Sequence, residues 1–317
     1  MTEFGYALSS EEHSGSDLAA LAAEAERRGF DFAPISDHYH PWIRQQGEAP
    51  YVWSSLGAIS ETTDGLEVGT GVTAPINRQH PVTLAQATAT TASMFDGRFF
   101  FGVGTGERLN EHVTGERWPP HHERLAMLEE AVAVIRKLWS GEMVSHDGEH
   151  FTVENAQLFT LPAEDPPIYV SAYGDRTAKK AAEIGDGLVC VGPQERVVET
   201  YRDAGGDGPT YGQLAVCYAE TEEEAVETAY EWWPTGDLPG GVSSELPTPA
   251  HFEHACEDVT RADIRDGHTL TDPDPAAHID ALEEFVDAGY DHVYVHNVGP
   301  NQAAFFDFYE EDVLPAF

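Results

Sequence analysis

The sequence predicts an α/β protein built as one (β/α)8 TIM barrel over residues 1–317, and three observations carry that reading. Short apolar runs alternate with stretches of helical periodicity eight times along the chain. Several of these runs, such as GLVCV and RFFFGVG, are apolar at almost every position, as a parallel sheet covered on both faces requires. The residues just past the runs are polar or rich in glycine, and in such barrels the loops after the strands build the functional mouth. A doubly wound open sheet usually has fewer strands, so the barrel is the better match.

The units follow in order. FGYAL is the first strand, and SDLAALAAEAERRG follows with Leu18, Leu21, Ala22 and Ala25 on one helical face and Gly29 as the stop. FDFAPIS precedes YVWSSLGAISETT, LEVGTGVTA precedes PVTLAQATATTASMF, and RFFFGVGTG precedes HERLAMLEEAVAVIRKLW. PPIYVSA precedes TAKKAAEIG, GLVCV precedes ERVVETYRDAG, QLAVCYA precedes EEEAVETAYEWW, and HVYVHNV precedes NQAAFFDFYEEDV. Two insertions interrupt the pattern without forming domains of their own. Residues 140–162 predict a β-hairpin, and residues 234–275 predict a long excursion with a helical piece around AHFEHACEDVTRADI.

Charge is the unusual quantity: 56 Asp and Glu oppose 17 Lys and Arg, a formal net charge of −39, and only Lys137, Lys179 and Lys180 are lysines. Nucleic acid is excluded as a partner, because phosphate binding needs clustered cations. The carboxylates are spread through the chain rather than gathered in a tail, which is the expectation for a halophilic protein whose self-repulsion is screened by salt. Cys190, Cys217 and Cys256 are far apart and suggest core positions rather than disulfides or zinc ligands. MTEFGYALSS has neither a basic start nor a long apolar run, and no segment reaches the length of a membrane span, so a cytoplasmic protein without a membrane partner is expected.

Five strand ends carry chemistry. Asp37, His38, His40 and Trp42 follow the second strand, and Gly71, Val72 and Thr73 follow the third. Gly104, Thr105, Gly106, Glu107 and Asn110 follow the fourth, Ser171, Ala172, Tyr173 and Gly174 the fifth, and His296 and Asn297 the last. The glycines at 102, 104 and 106 allow a planar ligand to approach the backbone, although the spacing is not the dinucleotide fingerprint. A carboxyl group such as Glu107 in a mouth is costly unless it is used or paired. His38 and His40 form an H-x-H pair, which in metal-dependent hydrolases of this fold binds zinc. That motif wants the pair after the first strand and further ligands on later strands, so no metal is expected, and packed histidines are the plain alternative.

SDHYHPW, GTGVTAP, GVGTGERLNE and HERLAMLEEAVAVIRKLWSGE together resemble the glucose-6-phosphate dehydrogenase group of the luciferase-like (β/α)8 superfamily, whose members use the deazaflavin coenzyme F420. The likeness spans nearly the whole chain and is densest from residue 30 to 190. It implies an F420-dependent dehydrogenase acting on the CH–OH group of a sugar, sugar phosphate or secondary alcohol. His38 is then the base that takes the hydroxyl proton, Glu107 an acid or orienting group, and Trp42 a pocket wall. Asp37, Gly71 and Val72 lie around the ring, with a non-prolyl cis peptide implied at Gly71–Val72. Thr105, Gly106, Asn110, Ala172, Tyr173 and Gly174 hold the cofactor's side chain and phosphate. A homodimer is also implied.

One departure matters. Sugar-phosphate members of that group hold phosphate with a lysine after the sixth strand, where this chain has Gln194, and with a later lysine and arginine. Arg196, Arg261 and Arg265 are the substitutes to weigh. Two other readings are an FMN-dependent luciferase-like monooxygenase and a non-catalytic flavin-binding relative. The second gives no reason for His38, Trp42 and Glu107 all to be present.

Overall fold

The computed structural model describes residues 2–317. Among the described residues there are ten strands: β1 (Glu3–Tyr6), β2 (Phe32–Ile35), β3 (Glu67–Thr70), β4 (Phe99–Val103), β5 (Val144–Asp147), β6 (Thr152–Ala156), β7 (Ile168–Ser171), β8 (Gly187–Val191), β9 (Thr210–Val216) and β10 (His292–Asn297). Eight close into an all-parallel barrel in the order β1-β10-β9-β8-β7-β4-β3-β2, and β5 and β6 pair as a separate antiparallel hairpin. The expected barrel and the expected hairpin at 140–162 are therefore both present.

The barrel wall is surrounded by α1 (Gly15–Arg27), α2 (Val52–Ser60), α3 (Pro81–Phe95), the short α4 (Arg108–Glu111), α5 (His121–Trp139), α6 (Asp175–Ile184), α7 (Glu195–Asp203) and α8 (Glu222–Trp232). The long excursion holds α9 (Gly240–Ser243), α10 (Pro249–Ala255) and α11 (Arg261–Arg265), and then come α12 (Pro275–Asp287) and α13 (Gln302–Phe308). The single helical piece expected in the excursion is thus two short helices, divided after Cys256 and restarted by a capping box at Thr260 and Asp263. The eight-unit reading also leaves α12 unassigned. Its signals are ordinary: Asp274 caps it, Pro275 opens it, and His278, Leu282 and Phe285 face the core.

Two strand ends differ from expectation. β3 stops at Thr70, the Gly71–Val72 peptide is cis, and pairing with β4 resumes only as a bridge between Thr73 and Val103. β9 begins at Thr210, three residues before the apolar run, because Leu188 N–H already donates to Pro209 O at 2.9 Å. Glycine and proline in GGDGPT disguise that start as loop.

The barrel interior is filled by aromatic rings rather than the usual branched aliphatics. Tyr169 stacks on Tyr211 at 4.9 Å, Phe100 tilts against both, and Phe32 meets Tyr211 edge-on at 5.2 Å. Neighbouring strands make room with glycine: a Cβ at Gly69 would lie 2.2 Å from Phe100, and one at Gly5 would lie 2.6 Å from Phe32. This plug closes the barrel below its C-terminal mouth, so the site above it is a blind pocket. The three cysteines are buried.

At the opposite end of the barrel Glu67 lies near Glu3, whose Oε2 is 3.1 Å from His292 Nε2. Burial, with Glu3 adding repulsion, pushes the Glu67 carboxyl up to about 7. A raised carboxyl pKa favours the fold fully below the group's ordinary value, and that contribution is lost as pH climbs through about 7. Glu67→Gln removes the penalty of ionising the group. We expect a Tm gain of roughly 2–6 °C at pH 8 that fades to nothing near pH 4, read by thermal melts across that range.

Candidate active site

The mouth of the barrel opens into a cavity of about 760 Å³. Four segments after strands supply most of its chemistry, and the 234–275 excursion roofs it with Leu238, Ser244 and Phe252 beside Trp233. The loop after β2 is fixed before it reaches the cavity. Asp37 turns its carboxylate inward, where Oδ2 accepts from Thr73 Oγ1 at 2.8 Å and Gln79 Nε2 at 2.9 Å, and Oδ1 pairs with Arg78 at 2.8 Å. Arg78 also lies 3.5 Å from Glu111, whose other oxygen accepts the backbone N–H groups of Asn77 and Arg78. Both carboxylates are 1% exposed. One guanidinium therefore holds together the loops after β2, β3 and β4.

A second stitch comes from Asn110 in α4. Its Oδ1 accepts from Tyr39 N at 2.9 Å and His40 N at 3.3 Å, while His40 Nδ1 donates to Leu109 O at 3.0 Å. His40 is thus a loop fastener. The H-x-H pair divides its work, with one imidazole fixing the loop and the other entering the cavity.

His38 is the one that enters. Its Nδ1 lies 3.1 Å from the His40 carbonyl, which can only accept, so Nδ1 carries hydrogen and Nε2 is the atom at which the ring takes up or releases its second proton. Nε2 sits 3.3 Å from Glu11 Oε1 and 3.6 Å from Glu107 Oε2. The two carboxylates differ in surroundings. Glu11 is buried, which opposes ionisation, but nearby His38 and the Ser36 hydroxyl at 2.5 Å outweigh that and hold it below the usual range. Burial pushes Glu107 up to about 7 against the pull of His38, with Glu11 and Glu111 adding to the rise. The result is one imidazole between an ionised carboxylate and one that gains and loses its proton near neutrality, the pattern by which a site separates acid from base.

Trp42 covers this cluster. Its ring lies 4.9 Å from His38, 5.1 Å from Phe252 and 6.4 Å from Trp233, the latter two edge-on. The cis Gly71–Val72 step and, after β4, Gly104 and Gly106 line the same cavity. A Cβ at Gly104 would lie 2.8 Å from Val72, and Gly106 adopts φ +70° with its Cβ position 2.9 Å from Ala74, so only glycine fits at either place. At the far end, Arg124 is 2% exposed and stacks over Trp118 at 4.0 Å. Its Nη1 donates to Pro119 O at 2.7 Å and lies 3.4 Å from Glu245 Oε1, while Nε is buried without a partner. Thr177, in the first turn of α6, and His121 stand beside it, and α6 has no side-chain cap at Gly174.

The luciferase-like monooxygenase family profile matches residues 1–292 of the chain. The chain belongs to the luciferase-like monooxygenase family. Within its reach, the F420-dependent glucose-6-phosphate dehydrogenase of Segniliparus rotundus is 33% identical over 99% of this chain and 97% of its own length. The enzyme of the same description from Mycobacterium avium has 33% identity with the same coverage. Among solved structures, an F420-dependent secondary alcohol dehydrogenase in complex with an F420–acetone adduct superposes with TM-score 0.91 at 29% identity, covering 100% of this chain and 99% of its own. The coenzyme F420-dependent tetrahydromethanopterin reductase from Methanopyrus kandleri, at TM-score 0.81 and 21% identity, shares the fold.

For this luciferase-like chain, the structure gathers His38, Trp42, Glu107, Gly71, Val72, Thr105, Gly106, Asn110 and Tyr173 along one cavity, Tyr173 at its rim with 64% exposure. Asp37 lines it too, with its carboxylate committed to the Arg78 brace. Ala172 is packed in the core and Gly174 stands at the head of α6, both outside the lining. Sequence reasoning missed Glu11, Arg78, Arg124 and the roof. The SSEEH segment after β1 was a signal for the first, since two carboxylates follow a strand end there.

Removing the Arg78 brace strands two buried carboxylates. Arg78→Met is expected to destabilise the fold by about 3–5 kcal/mol, and adding Asp37→Asn to recover part of that loss, in a denaturant-melt double-mutant cycle. An additive cycle contradicts the shared brace.

Proposed function

We propose that this protein is a coenzyme F420-dependent dehydrogenase that oxidises a CH–OH group of an uncharged alcohol or sugar. The observation that supports it most is His38 Nε2, 3.3 Å and 3.6 Å from two carboxylates in a cavity that Gly71, Gly104 and Gly106 also line. The residues present fit a long cofactor with a planar head and an anionic tail. Val72, Gly104 and Trp42 offer the head a flat slot, and the partnerless Nε of Arg124 near the head of α6 offers the tail a cation. When bound, the deazaflavin of F420 supplies the two-electron acceptor for the substrate carbinol.

The chain's own residues do the rest. His38 Nε2 takes the hydroxyl proton as the carbon is oxidised, and the His40 carbonyl keeps the ring in the tautomer that can do so. Glu11, ionised and fixed by Ser36, stabilises the imidazolium that results. Glu107, protonated below about pH 7, is the proton donor on the other side. Trp42 with Phe252 and Trp233 excludes water and places an indole face against the positive charge that grows on His38.

An anionic sugar phosphate finds little to hold it. Of the described residues lining the cavity, Arg124 alone is permanently cationic. Gln194 is exposed outside the lining; Arg196 pairs with Asp175, Arg261 with Glu227 and Arg265 with Glu222, all on the surface. The acidic cavity favours an uncharged substrate.

The direct test is anaerobic reduction of oxidised F420 by a panel of alcohols, sugars and sugar phosphates, followed by loss of absorbance. His38→Ala is expected to lower kcat by roughly 10²–10⁴-fold while F420 still quenches protein fluorescence. In the wild type kcat/KM should fall as pH rises through about 7, and that limb should vanish in Glu107→Gln. Copurified FMN with oxygen consumption and no F420 reduction would instead place the chain among monooxygenases.

The same proposal takes the enzyme as a cytoplasmic homodimer, and the net charge of −39 supports a saline cell interior. No helix among the described residues is long and apolar enough to cross a membrane. Melting in dilute buffer and in molar potassium chloride should give a higher Tm in salt; an unchanged Tm removes the halophilic reading.

A further inference from the structure

The cavity contains a second imidazole that the scheme above does not use. His296, near the end of β10, follows Tyr294 with the alternation that points both into the barrel. Its Nε2 lies 2.8 Å from Glu12 Oε2, and Glu12 Oε1 accepts Gly299 N–H at 2.8 Å. Glu12 is fully buried and His296 is 3% exposed. The carboxylate fixes hydrogen on Nε2 and leaves Nδ1 as a bare acceptor. That atom is buried and has no partner in the protein. Trp233 stands edge-on to the ring at 4.8 Å, and the same indole meets Trp42 over His38.

A buried acceptor without a partner costs about 1–3 kcal/mol, so a residue kept in this state on a cavity floor is completed by what enters the cavity. Nδ1 can take only a hydrogen-bond donor. Glu11 and His13 are close enough to interact electrostatically with His296, and Gln213 and Tyr294 line the same cavity, where Gln213 Oε1 already accepts from Tyr294 Oη at 3.4 Å. Glu11 is committed to the serines and to His38. A substrate with one hydroxyl gives its proton to His38 and leaves His296 unsatisfied. A substrate with two or more satisfies both.

Resting on the dehydrogenase reading, we infer that His296 Nδ1 accepts a hydrogen bond from a second hydroxyl of the substrate, so that the enzyme selects uncharged polyols or sugars over monohydric alcohols. His296 is a specificity determinant, and Glu12 is a positioning residue that acts through it. No covalent step is involved. Discrimination arises because the monohydric analogue leaves a polar atom buried and unpaired, the situation in which sites reject substrates most strongly.

The test compares kcat/KM for butane-2,3-diol and butan-2-ol in the wild type and in His296→Ala, His296→Gln and Glu12→Gln, with F420 as acceptor. The wild type should prefer the diol. His296→Ala should reduce the diol-to-monool ratio by roughly 10–100-fold, chiefly through KM for the diol. His296→Gln keeps an acceptor and should restore part of the ratio, and Glu12→Gln should give an intermediate loss. F420 affinity, read by fluorescence, should not follow the ratio. A wild type without preference for the diol, or variants that leave the ratio unchanged, overturns the inference while the dehydrogenase reading stands. A wild type that binds F420 yet reduces it with neither substrate nor any of the earlier panel overturns the dehydrogenase reading, and this inference with it. Should His296→Ala fail to fold, the ratios in His296→Gln and Glu12→Gln decide alone.

Discussion

The site depends on one buried cation. Arg78 holds Asp37 from one loop and Glu111 from another, and a charged pair of carboxylates in that position is tolerable only because the guanidinium lies between them. With those loops locked, the direction of the His38 ring follows, because it is the residue next to Asp37 and is pinned again by Asn110 through the amides of Tyr39 and His40. Reactive groups on loops are usually less precisely placed than groups on strands. Here a polar lattice beneath the loops supplies the rigidity that a strand would have given.

That rigidity has an electrostatic purpose. Glu11 and Glu107 line the cavity with His38 and His296, Glu12 is buried against His296, and each carboxylate is treated differently. Serine hydroxyls hold Glu11 ionised, a backbone amide and an imidazole occupy Glu12, and Glu107 is left poorly solvated with an elevated pKa. Three identical functional groups thereby acquire three behaviours from their surroundings alone.

How much of this could be read from the residues varies with the kind of signal. The eight strands were legible because a two-sided buried strand has few polar positions to confuse it, and GLVCV matches β8 residue for residue. The ends were less so: GGDGPT conceals the first residue of β9, and the excursion's helices are too short for periodicity to mark. His38, Trp42 and Glu107 were identifiable because imidazole and indole are uncommon enough to stand out. Glu11 and Glu12 carried a weaker signal, since SSEEH follows a strand end but among 56 acidic residues two more there look like surface. Arg78 was hidden for a related reason. Its role depends on partners 33 and 41 positions away, and no local pattern encodes a contact across two loops.

The excursion at 234–275 brings one further consequence. The barrel supplies the proton chemistry and the slot for a planar head, whereas Leu238, Ser244 and Phe252 come from a single continuous stretch that crosses the sheet nowhere except at the Leu270 bridge to Val216. Such a segment behaves as an exchangeable cassette. Changes confined to that stretch alter what is accepted overhead and leave the barrel's own proton chemistry in place.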